Sequence, residues 1–81
     1  MAIFSQARVI YQIHYDIAFA DTVSAGVVLV DTCQRNCVSS GPSILDDRSV
    51  DYHFADGSVL SVETDSDGVL IPYWYDSVDD M

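Results

Sequence analysis

From Arg8 to Ala20 the chain alternates, with Val9, Tyr11, Ile13, Tyr15, Ile17 and Phe19 on one side and Arg8, Gln12, His14 and Asp16 on the other, Ile10, Ala18 and Ala20 among them. A period of two built from aromatic and β-branched residues predicts a long strand, because successive strand side chains point to opposite faces. The helical spacing fits less well: positions 9, 12, 13, 16, 17 and 20 read Val, Gln, Ile, Asp, Ile and Ala, a face broken twice by polar groups. A helix starting after Ser5 is the second reading. Val27-Val28-Leu29-Val30 shows no alternation and predicts a second strand over about 25–31, covered on both faces. The four-residue link of residues 21–24 is short enough to join an antiparallel pair.

Residues 32–49 contain Ser39-Ser40-Gly41-Pro42 and few apolar positions, which predicts a loop. Inside it, Ser43-Ile44-Leu45-Asp46 has the spacing of a helix N-cap with an acid three residues on. One helical turn there would place Ile44 and Leu45 over an end of the core.

The last third reads as a three-stranded meander. A three-residue turn at Ala55-Asp56-Gly57 pairs Tyr52 with Leu60 and Val50 with Val62, whereas a two-residue Asp-Gly turn would set Val50 against Glu63 and scramble the faces. A four-residue turn at Asp65-Ser66-Asp67-Gly68 pairs Thr64 with Val69, Val62 with Ile71 and Leu60 with Tyr73. Pro72 cannot donate to a ladder, so the last strand is an edge or is bulged. Leu70 and Trp74 share its face, where a turn or loop covers them or they form a contact patch. Residues 76–81 read as a frayed acidic tail. The expectation is a mainly β single domain over residues 1–81, with about five antiparallel strands and one short helical turn or loop insert; the alternative is an α+β domain with an N-terminal helix.

Charge changes the picture more than size does. Twelve Asp and one Glu stand against three Arg and no Lys, a net charge of −10 on 81 residues. Such a field repels nucleic acid and anionic membranes and draws in basic partners. Hydrophobic residues make up 49% of the chain, which argues against disorder. Without a secretory leader or a long apolar run, the expected location is cytoplasmic and Cys33 and Cys37 are expected to be thiols.

Chemistry-bearing patterns are few. Cys33, Cys37, His14 and His53 supply the ligand types of a structural zinc site, but the two His are far apart and unpaired in spacing, so no metal or other cofactor is expected. Glu63-x-Asp65-x-Asp67-Gly68 copies the first half of an EF-hand loop, yet Trp74 stands where the bidentate Glu belongs, and Asp and Gly are ordinary turn residues. No nucleophile motif or phosphate-binding glycine loop is present, so no catalytic residue is assigned and enzyme activity is not expected.

What remains is the arrangement of acids. Glu63, Asp65 and Asp67 recur every second residue, which on a strand sets carboxylates about 6.6 Å apart, close to the spacing of phosphates on a nucleic-acid strand. Asp46, Asp47 and Asp51 form a second group, and Asp76, Asp79 and Asp80 a third. With Trp74 and Tyr75 as aromatic anchors, the candidate partner-binding residues are Asp46, Asp47, Asp51, Glu63, Asp65, Asp67, Trp74, Tyr75 and Asp76.

By size, acidity and absence of Lys the chain resembles small phage-encoded anti-defence proteins, namely anti-CRISPR proteins and DNA mimics. The resemblance implies a non-enzymatic inhibitor in the host bacterial cytoplasm. It would bind the basic nucleic-acid-binding surface of a partner protein, such as a CRISPR effector subunit, and block target DNA without binding nucleic acid or membrane itself. Two alternatives stand beside it. One is a structural, assembly or toxin-neutralising module, forming a homodimer through the strand carrying Pro72; the other is a zinc-stabilised domain.

Overall fold

A computed structural model describes residues 4–46 and 48–81. Two helices, α1 (Gln6–Ala18) and α2 (Thr22–Asn36), precede four strands, β1 (Ser39–Pro42), β2 (Val50–His53), β3 (Val59–Thr64) and β4 (Leu70–Tyr75), and a 3-10 turn at Val78–Asp80. The strands form one antiparallel sheet in the order β1-β2-β3-β4. The mainly β, five-stranded expectation is therefore wrong, and the α+β alternative with an N-terminal helix is the closer one.

The region read as a long strand is α1. Ser5 caps it, its hydroxyl accepting the Arg8 N–H at 3.2 Å. Ala7 and Ile10 are buried, and Tyr11, His14, Ile17 and Ala18 are half-buried, so the core side follows helical spacing. The alternation arose because the helix is apolar on its outer side too, with Val9, Ile13, Tyr15 and Phe19 all exposed. The second predicted strand is α2. Asp21, taken for a linker residue, is its N-cap and accepts the Val23 and Ser24 N–H groups at 3.0 and 3.2 Å. Ala25, Gly26, Leu29 and Cys33 give α2 its buried face.

The β2–β3 hairpin has the expected register, Tyr52 opposite Leu60 and Val50 opposite Val62. The β3–β4 register is one residue away from expectation: Thr64 faces Leu70, Val62 faces Pro72 and Leu60 faces Trp74. The turn is five residues, closed by the Asp65 N–H to the Val69 carbonyl at 2.9 Å. Asp65 also folds its carboxylate back onto the Asp67 and Val69 N–H groups at 2.8 and 2.9 Å. Gly68, at φ +82°, supplies the left-handed position. A slip of one residue exchanges the faces of a strand. Trp74 and Leu70 thus pack, half-buried, against the core cluster of Ala7, Ile10, Leu29, Cys33, Tyr52, Phe54, Leu60 and Val62. β4 is an edge strand, one of the two arrangements that Pro72 allows.

Two smaller expectations also give way. The Ser39–Pro42 stretch is no loop but an edge strand, pairing Ser40 with Tyr52 and Pro42 with Val50. Ile44 and Leu45 form a bend rather than a helical turn, and both are exposed instead of closing the core. The C-terminal residues are not frayed, since the Asp80 and Met81 N–H groups bond the Ser77 and Val78 carbonyls at 3.1 Å each.

The layers are tied together at the start of α1. The Gln6 N–H donates to the Asp56 carboxylate at 2.8 Å and the Ala7 N–H to the Ser58 hydroxyl at 3.1 Å, both across to the β2–β3 turn. With the Ser5 cap, three helix-end donors that would otherwise be orphaned have acceptors. Among the described residues no helix is long and apolar enough to cross a membrane.

Candidate interaction surface

Individually, several acids serve the backbone. Asp21 caps α2; the Ser24 hydroxyl and the Ser24 and Val23 N–H groups hold its carboxyl below the ordinary value. Partial burial opposes the charge on Asp56, but hydrogen bonds from Ser58 and from the Gln6 N–H outweigh it and lower that carboxyl too. Asp65 closes the β3–β4 turn, so the row of evenly spaced carboxylates stops at Glu63, the last acid on a strand.

Collectively, charge is divided between the layers. Residues 1–37 hold three acids and two Arg, a net −1, while residues 38–81 hold ten acids and Arg48, a net −9. The helical layer is close to neutral and the sheet layer carries nearly all of the field.

The β3–β4 turn lines two adjoining features with consecutive residues. On one side, Glu63, Thr64, Asp65 and Ser66 meet Asp46 and Arg48 of the β1–β2 loop around a polar cleft of about 330 Å³. Asp46 accepts the Arg48 N–H at 2.9 Å, and its carboxylate lies 3.7 Å from the Arg48 guanidinium. On the other side, Asp67, Gly68, Val69 and Leu70 face Thr22, Val23, Gly26, Val27, Val30, Asp31 and Gln34 of α2 across an apolar groove of about 530 Å³. Val23 is 76% and Val27 67% exposed. Val50, beside Val62 on the helix side of the sheet, is 39% exposed, so α2 leaves this end of the interlayer space open.

The candidate residues divide accordingly. Asp46, Glu63 and Asp65 come together at the cleft, and Asp67 stands at the groove. Asp47 lies outside the described residues. Asp51 is 1% exposed and takes a long 3.4 Å bond from the Ile44 N–H, with Oδ1 unpartnered among the described residues, so it presents nothing to a partner. The face of Trp74 is occupied by the Arg8 guanidinium, 4.9 Å from the ring centroid, with Phe4 on the same cation at 4.2 Å. Tyr75 is half-buried on the opposite side of β4 from Trp74, and Asp76 is exposed just beyond it. The groove itself was missed by sequence reasoning. Its signal was present in Val23, Val27 and Val30, which share a face only if 22–36 is a helix.

Cys33 and Cys37 are free, and Cys33 is fully buried, which pushes its thiol up to about 12 with a smaller contribution from Cys37. The zinc set does not assemble: among the described residues no three His, Cys, Asp or Glu side chains gather around a common point. The chain matches no protein-family model, and no curated protein or solved structure matches it either.

Proposed function

We propose that this protein is a non-catalytic acidic interaction module that occupies the nucleic-acid-binding surface of a basic partner protein and keeps nucleic acid off it. The carrying observation is the charge division, −9 on residues 38–81 against −1 on residues 1–37. A molecule polarised in this way orients as it approaches a cationic groove, which raises association rates and fixes which side docks. At the cleft, Glu63 and Asp65 place carboxylates where an arginine of the partner can engage them. In its most specific form the reading is of an anti-CRISPR-like inhibitor acting in the bacterial cytoplasm on an effector subunit.

The test is capture of partners from bacterial lysate on immobilised protein, followed by competition with duplex DNA. Captured proteins should be basic nucleic-acid binders, should elute as salt rises from about 0.1 to 1 M and the screening length shrinks from about 10 to 3 Å, and should be displaced by DNA. Partners that remain bound at 1 M salt and ignore DNA would overturn the reading. Neutralising Glu63, Asp67 and Asp76 together (E63Q, D67N, D76N) should weaken capture, by about twofold to fivefold per charge.

A further inference from the structure

From the groove beside the β3–β4 turn we infer that the partner is engaged through an amphipathic basic segment, whose aliphatic side chains enter between α2 and β4 while its Lys or Arg residues reach the acids along the turn. This deepens the proposed function and rests on it. The apolar floor comes from Val23, Val27 and Val30 on α2 and from Val69 and Leu70 across the gap. Its volume, about 530 Å³, lies within the 300–1,000 Å³ usual for binding clefts. A flat acidic face would select any cation. A groove of this kind demands an apolar anchor as well.

Charge complementarity decides the occupant. Asp67 stands at the groove, and Asp65 and Glu63 continue from the same turn into β3. The Asp31 carboxylate on the α2 side is already matched by Arg35 at 3.2 Å. A second copy of this chain would bring two such acidic turns together, each on a body of net charge −10. An anionic lipid surface would meet the same repulsion. A segment with aliphatic residues on one side and cations on the other satisfies both the floor and the rim, in the manner of a helix laid into a groove.

The probe is a capped 14-residue peptide with Leu on one helical face and Lys on the other, titrated into the full-length isotope-labelled protein and followed by amide NMR shifts. Two controls replace Leu by Ser, or Lys by Glu. The Leu/Lys peptide should shift the amides of Val27, Gly68 and Val69 and bind at least tenfold more tightly than either control. Val27→Asp and Val23→Asp, at exposed sites and checked for unchanged thermal melting, should each weaken it tenfold or more, and Asp67→Asn about threefold. If the Leu/Lys and Ser/Lys peptides bind alike, with shifts confined to residues 46 and 63–66, the groove inference falls while the acidic-module reading stands. If no cationic peptide binds at all, both fall. Peptide-free self-association at the same amides, seen by sedimentation, would assign the groove to a second copy and overturn the inference.

Discussion

The Asp56 carboxylate shows how much a single acid can do here, since it joins the first turn of α1 to a hairpin fifty residues away in sequence. Asp56→Ala should lower unfolding free energy by about 1–2 kcal/mol, as loss of a helix cap does, in a urea titration. Titration carries a second residue-scale expectation. Cys33 keeps its proton to about 12 in the folded chain, whereas an unfolded thiol releases it near 9.0. Unfolding then releases a proton, so Cys33's contribution is fully present below pH 9 and is lost as pH climbs toward 12, at up to about 1.4 kcal/mol per unit. On the acid side, burial lowers the His14 pKa below 6.5, and Asp21 and Asp56 sit below 3.8. Their contributions are present above those values and fade as pH falls below 6.5 and then below 3.8. Stability measured against pH should therefore plateau between about 6.5 and 9. A thiol reagent at pH 8 should modify Cys37 in native protein and both cysteines in denaturant; rapid reaction at Cys33 would contradict its burial.

At the scale of elements, the glycines separate helix from turn. Gly26 sits inside α2, and an added Cβ would lie 3.5 Å from the Leu70 side chain, an ordinary contact. Gly26→Ala should raise stability by about 0.5–1 kcal/mol through backbone entropy. Gly57→Ala and Gly68→Ala, at φ +88° and +82°, should lower it by about 1–2 kcal/mol in the same assay. The β2–β3 hairpin was legible in the sequence because only one turn length kept Val50, Tyr52, Leu60 and Val62 on a common face. The β3–β4 turn was not, because the extra residue Val69 is recruited by the Asp65 carboxylate, which no hydrophobic pattern records. The helices were misread for another reason. Alternating positions 11, 15 and 19, like 9, 13 and 17, are also four apart, so a helix apolar on several sides mimics a strand. The length should have spoken against a strand: a run of about twelve residues had no partner of similar extent, and the true strands are four to six residues long. The capping residues Ser5 and Asp21 were the positive signal.

For the whole molecule, the sign and size of the field were readable from composition, and its confinement to the sheet layer could have been counted. The meeting of Asp46 with Glu63 and Asp65 could not, because it depends on β1 pairing with β2 and so bringing Asp46 and Arg48 beside the β3–β4 turn. The polarisation predicts that E63Q, D67N and D76N alter partner association chiefly through its rate and salt dependence, whereas Val27→Asp acts on dissociation; stopped-flow measurements would separate the two. The ties from Asp56 and Ser58 to the start of α1 bear on biosynthesis as well. A ribosome adding 5–20 residues per second makes Gln6 and Ala7 about 2.5–10 s before residues 56–58. During that interval the first helical turn has no acceptor for two of its donors, so the nascent N-terminal segment stays uncommitted until the hairpin arrives to secure it.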